Sequence, residues 1–425
     1  MCIDAEKYAN YVAILREELV SAVGCTEPAC LALAGAKLRQ VLGAVPEKVV
    51  VKLSGNLIKN AKSVTIPHSK GLKGIVAALW LGITGGDANL GLAVLSSVTD
   101  GDIRRAKELM GDPTLCTVEL LDSEAKLHLI VEGTSNQSHA MVEILDTHSN
   151  FSRIVKDDKL LLDKEIGVGG GEVPTDRSLL NVRDILAFAD SVSVKDVEPI
   201  LRPQIDQNIA MAEQGLSRDY GASVGRMLMA NFGNAVGNRA RATAAAASDA
   251  RMGGCQMPVV INSGSGNQGI AASIPVIVYA THYDLPEETL FRALCVSNLI
   301  AIHQKTSIGL LSAYCGAVSA ACGSGAGITY MLGGDYEQVS GTIINSLANV
   351  AGILCDGAKP SCAAKIASAV DAAIMALTMS FGAFRFADGD GIVKANVEKT
   401  INVVGNIASE GMRKTDITVI NQMIR

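Results

Sequence analysis

The chain has 425 residues, 48% of them hydrophobic but only 4% aromatic, with 42 glycines. Such a core must be built from Ala, Val, Leu and Ile, and the length suits roughly two or three domains of about 150 residues each. The formal net charge of −6 excludes the basic footprint that nucleic acid requires.

The amino terminus, MCIDAEKYANYVAILREELV, lacks the basic flank and apolar centre of a signal peptide. No apolar run reaches the roughly 18–20 residues that span a bilayer. A cytoplasmic chain with no membrane partner is therefore expected. Residues 5–23 have helical spacing, with Tyr8, Val12, Leu15, Leu19 and Val23 on one stripe. Gly24-Cys25-Thr26-Glu27-Pro28 breaks that helix. Proline suits a first helical turn, so ACLALAGAKLRQVLG is a second helix. The texture then changes. KVVVKLSGNLI alternates as a strand does, GIVAALWLGITGG and DIRRAKELMG are helical, and CTVELLDSEAKLHLIVEG is strand–turn–strand. HAMVEILDTHSNFSRIVKD continues as strands, and DKEIGVGGGEVPTDRS is a glycine-rich linker. From about residue 180 onward the pattern is almost wholly helical. The expected fold class is α+β: a mainly helical, Ala/Gly-rich body from residues 1–45 and 175–425, with a smaller α+β module, residues 46–174, inserted in it.

Ten cysteines stand out. Cys315 and Cys322 in SAYCGAVSAACGSGAG are seven apart, as are Cys355 and Cys362 in GILCDGAKPSCAAK. In a reducing compartment, clustered cysteines bind metal or do chemistry more often than they form disulfides. Thiolates without paired histidines suit zinc or iron–sulfur. The tight spacing of a structural zinc site is missing, whereas a four-iron cube spreads its ligands and accepts looser spacing. Cys2, Cys30, Cys116, Cys255 and Cys295 read as small hydrophobes. Cys25 sits at a helix start, where free amides and the macrodipole stabilise a thiolate.

TAAAASDARMGG sets Ser248, Asp249 and Arg251 among small residues, and VVINSGSGNQG follows with Ser263, Ser265, Asn267 and Gln268. A polar, glycine-rich loop after a strand-like run presents amides and hydroxyls to a carboxylate or phosphate. The loop also fits G-x-G-x-x-G, with Asp284 20 residues after Gly264. Pro275 falls where the phosphate-bearing helix would run, so a small-anion loop is the better reading. His303 and Lys305 precede the first cysteine pair, and a buried lysine can serve as a base. His139 and His148 lie in stretches that read as surface turns. The signatures of P-loop ATPases, nucleophile-elbow hydrolases and zinc proteases do not occur.

Taken together, SAVGCTEPAC, ASDARMGG, NSGSGNQG, LSAYCGAVSAACG and ILCDGAKPSC resemble the L-cysteine desulfidase family, relatives of the α-chain of iron–sulfur L-serine dehydratases. The resemblance runs in the same order and nearly end to end. It implies a [4Fe–4S] cluster on Cys315, Cys355 and Cys362, with Cys322 the runner-up in the first pair. It implies a functional thiol at Cys25, as fourth ligand or in catalysis. His303 and Lys305 are the further catalytic candidates. Asp249, Arg251, Ser263, Ser265, Asn267 and Gln268 are the substrate-binding candidates. The last two cluster cysteines stand closer together here than in the dehydratases, and the dehydratases lack GCTEP. The implied reaction is β-elimination of L-cysteine to hydrogen sulfide, ammonia and pyruvate. Elimination on L-serine is the alternative, and a non-catalytic iron–sulfur protein is a third reading. The expected partner is an amino-acid substrate, with a homo-oligomer compatible.

Overall fold

The computed structural model describes residues 3–123, 125, 127–136, 138–164, 175–309 and 312–424. The fold is α+β, a large helical assembly with a smaller sheet module. The chain divides into two compact units. The larger comprises Met1–Ser21, Pro174–Cys355 and Pro360–Asp416; the smaller comprises Ala22–Val173, Asp356–Lys359 and Ile417–Arg425. Most of the expected linker, residues 165–174, lies outside the described residues.

In the larger unit, the first helix is Ala5–Glu18, and the Asp4 carboxylate accepts from the Lys7 amide at its start. It ends earlier than its stripe suggests, because Leu19 leaves helical geometry and Ser21–Val23 is extended. The body is built from long helices, chiefly Val194–Ser217, Val236–Met252, Gly266–His282, Glu287–Ile308, Gly316–Met331, Tyr336–Val350 and Cys362–Phe381. Gly316–Met331 packs against Glu287–Ile308, Gly266–His282, Tyr336–Val350 and Cys362–Phe381. Its run of Gly, Ala and Ser, nearly all buried, lets it serve that central place. Cys362–Phe381 is, among the described residues, long and apolar enough to cross a membrane by length and composition. This corrects the expectation that no such run exists, which Lys365 and Asp371 obscured. Half of the helix is buried against other helices of the unit.

The smaller unit holds a sheet of six described strands in the order Cys116–Leu120, Lys48–Leu53, His128–Ser135, Ser138–Leu145, Phe151–Lys156, Lys159–Asp163. The first pair is parallel and the rest antiparallel. The expected strand–turn–strand at 116–133 is therefore not a hairpin, since Lys48–Leu53 lies between its two strands. Helix Thr26–Leu42 packs on helix Ile75–Gly85 and on the strands His128–Ser135 and Ser138–Leu145. It belongs to this unit, whereas the sequence reading attached it to the helical body. The reason is its surface: nearly every residue from Thr26 to Leu38 is buried, and the more apolar Ile75–Gly85 packs on it.

Candidate active site

Two extended segments of the larger unit bring cysteines together. The Cys315 amide donates to the Ile353 carbonyl at 3.0 Å, the Cys355 amide donates to the Ala313 carbonyl at 2.6 Å, and Tyr314 bridges Leu354 between them. This antiparallel pairing sets residue 315 opposite 353 and residue 355 opposite 313, so the two cysteines lie diagonally on one face, and their thiols hydrogen-bond. That bond, then burial and the nearby Cys355 and Cys362 sulfurs, push the Cys315 thiol well above its ordinary pKa, against the Ala317 amide. Cys315 is the N-cap of Gly316–Met331, and Cys362 is the first residue of Cys362–Phe381. None of the three is in a disulfide. Among the described residues, no three His, Cys, Asp or Glu side chains already stand as a ligand set for a single metal ion.

Cys322 has a different setting. It is fully buried, lies 3.8 Å from the Ile343 carbonyl, and is touched by Ser346 and Gln304. Burial pushes its thiol pKa up to about 12. It is a core thiol, as are Cys30 and Cys295.

The loop after strand Pro258–Val260 turns at Asn262–Ser265, with Ser263 in the left-handed region at φ 48°. Ser263 Oγ donates to Asn262 Oδ1 at 2.9 Å, and Asn262 Nδ2 donates to Asn298 Oδ1 at 2.9 Å. Asn298 and Gln204 exchange amide hydrogen bonds at 2.8 and 3.0 Å. The sequence reading missed this buried amide chain, since isolated Gln and Asn in helices carry no motif. Ser265 caps helix Gly266–His282 without a side-chain hydrogen bond. Asn267 accepts from Ser248 Oγ at 3.2 Å and donates to Met252 Sδ at 3.6 Å. Arg251 is buried under the helix start: a Cβ on Gly266 would stand 2.4 Å from its Nε. The Gln268 amide lies against the backbone of Gly316, the residue after Cys315. Asp249 turns elsewhere, its Oδ2 accepting from the Gly225 amide at 2.9 Å at the start of helix Val224–Asn231. His303 Nε2 is occupied by Glu398 Oε2 at 2.7 Å, and Lys305 is buried two residues further along the same helix.

In the smaller unit, Cys25 is the N-cap of Thr26–Leu42, and its Sγ donates to Glu27 Oε2 at 2.8 Å. Thr26 Oγ1 donates to the same oxygen at 3.2 Å, and Asn60 Nδ2 donates to Oε1 at 2.8 Å. Burial opposes the Glu27 charge, but His148 and the Cys25 thiol outweigh it and hold the carboxyl well below its usual range. At 3.9 Å, His148 Nε2 is beyond hydrogen-bond reach and acts through its charge when protonated. His148 lies in a turn as expected, but its side chain faces this buried carboxylate rather than solvent. Beside Cys25 is a small cleft lined by Pro28, Pro67, His68, Leu92 and Leu95, and burial lowers the His68 pKa. Gly357, in the turn between Cys355 and Cys362, has φ +95°, and a Cβ there would stand 2.2 Å from the Lys59 carbonyl. That turn thus rests on the helix that supplies Asn60. Glu27 was legible only as part of GCTEP, and nothing in the sequence pointed to Asn60 or His68.

The profile described as serine dehydratase alpha chain matches residues 89–421. The chain belongs to the serine dehydratase alpha chain family. It is also 50% identical to a UPF0597 protein of Lachnoclostridium phytofermentans over 98% of this chain and 100% of that one. A UPF0597 protein of Treponema denticola is 47% identical over the full length of both. One of Fusobacterium nucleatum is 43% identical over 99% of each. The serine dehydratase match takes in the loop at Asn262–Gln268 and Cys315, Cys355 and Cys362, and it begins after Cys25 and Glu27. The UPF0597 likeness extends over nearly the whole chain.

Proposed function

We propose that the chain is a lyase that converts L-cysteine and water to hydrogen sulfide, ammonia and pyruvate, using a [4Fe–4S] cluster held by Cys315, Cys355 and Cys362. The observation that supports this most is the backbone pairing of residues 313–315 with 353–355, which puts Cys315 and Cys355 on one face of two joined segments, with Cys362 opening the helix that follows. The donor set suits iron: soft thiolates, two of them at helix starts whose amides favour negative charge. A cube separates its ligands, so a ligand set tight enough for one ion is not required. With three thiolate ligands, such a cluster supplies one iron open as a Lewis acid for the leaving group.

The chain's own residues supply binding and proton handling. Arg251, under the start of helix Gly266–His282, is the proposed holder of the carboxylate, through the two-pronged donation of a guanidinium. Lys305 Nζ is the candidate acceptor of the Cα proton. The Cys25 thiol, held on Glu27 Oε2, is the proposed donor to the departing sulfide. The serine dehydratase family match favours a second reading, loss of water from L-serine at the same site. Sulfide and pyruvate release by anaerobically purified protein decides between them. We expect kcat/KM for L-cysteine to exceed that for L-serine by about tenfold or more, equivalent to ~1.4 kcal/mol in the barrier. The reverse ratio assigns the serine reaction, and pyruvate from neither substrate refutes the elimination.

A further inference from the structure

We propose that the Gln268 side chain receives the α-ammonium group of the substrate, and that this contact selects amino acids over the corresponding 2-hydroxy acids. The assignment rests on reading the loop Ser263–Gln268 as the substrate's seat. The loop's other polar side chains are largely spent on the fold. Ser263 bonds Asn262, Asn267 bonds Ser248 and Met252, and Asn262 is anchored to Asn298. Gln268 is different. It is 6% exposed, and its Oε1 is shut off from solvent with no hydrogen-bond partner among the described residues. A buried acceptor without a donor is unfavourable and calls for an explanation; a ligand donor supplies one.

The placement also fits. A Cβ on Gly316 would stand 2.5 Å from Gln268 Cδ and 2.6 Å from Oε1, so the amide lies flat on the backbone that follows Cys315. Two residues earlier, Gly266 rests on the Arg251 guanidinium. One helix start therefore carries a cation suited to a carboxylate and an open acceptor suited to an ammonium, next to a cysteine proposed to hold the reacting metal centre. A hydroxy acid offers Oε1 one neutral hydroxyl in place of a charged, three-proton donor. Sites built around such a hydrogen bond discriminate strongly.

The test uses the holoenzyme and two ligands without a leaving group, L-alanine and L-lactate, titrated calorimetrically under anaerobic conditions. The natural chain should bind L-alanine about tenfold or more tighter than L-lactate. Gln268→Leu should bring that ratio below about threefold with iron content unchanged. Gln268→Asn, which keeps the amide but draws it back by one methylene, should also lose most of the preference, and it decides the matter if the leucine variant does not fold. A natural chain without the preference, or a variant that keeps it, overturns the proposal. Turnover measured alongside separates the two readings. If the preference depends on Gln268 while neither cysteine nor serine is converted, the elimination reading falls and the Gln268 assignment stands.

Discussion

Asp249 is fully buried, and burial pushes its carboxyl pKa up to about 6 from 3.8, against the amides of Gly225, Ala222 and Val224 that favour its charge. A carboxyl whose folded pKa is raised holds its proton more firmly in the folded state. Stability is then lost as pH rises from about 4 to about 6. Asp249→Asn should remove that part of the pH dependence, about 2 kcal/mol between pH 4 and pH 6.5 in urea titrations; an unchanged slope contradicts it. Its place at a helix start gives it a structural task, which its neighbours in ASDARMGG concealed. Cys25 is the opposite case, a thiol whose hydrogen-bond partner is a buried carboxylate held in its charged form. Cys25→Ala should leave the iron content near that of the natural chain and lower sulfide release at least about tenfold. Near-normal turnover returns Cys25 to a packing residue.

Three helices of the larger unit meet at one carboxylate. Glu398, on Val397–Asn406, accepts from His303 Nε2 on Glu287–Ile308 at 2.7 Å and from the Val182 amide that opens Val182–Ser191, also at 2.7 Å. Burial opposes its charge, but the His303 partnership prevails and holds the carboxyl below its usual range. A depressed carboxyl pKa contributes stability that is present above the ordinary carboxylate range and lost as pH falls through the folded value. Glu398→Ala should therefore cost about 2 kcal/mol in urea unfolding at pH 7, and less near pH 3. An equal cost at both pH values contradicts this account. His303, a catalytic candidate by its place ahead of the cysteines, has its Nε2 engaged in this tie. The helices themselves were legible, because Ile75–Gly85, Asp100–Met110 and the long body helices have apolar spacing that local sequence determines. Strand neighbours were not, because the order around Lys48–Leu53 depends on pairing with segments far along the chain.

For the molecule as a whole, composition correctly indicated a body of small apolar residues and a separate sheet module. The attachment of Thr26–Leu42 escaped it, since a helix buried on nearly all sides has no polar face to show which partner it joins. The cysteine pairs were visible as spacing. The proposal of Cys315 rather than Cys322 as the ligand from the first pair rests on the backbone pairing of residues 313–315 with 353–355 and on the core packing around Cys322, neither of which spacing reveals. The central claim is that Cys315, Cys355 and Cys362 hold an iron–sulfur cluster. The most direct measurement is iron and acid-labile sulfide per chain in anaerobically purified protein, for the natural sequence and for Cys315→Ser, Cys355→Ser, Cys362→Ser and Cys322→Ser. The account predicts about four irons and four sulfides per chain in the natural protein and in Cys322→Ser, with loss of both in the other three variants. Full iron in Cys315→Ser together with its loss in Cys322→Ser, or a natural protein that eliminates sulfide without iron, would contradict it.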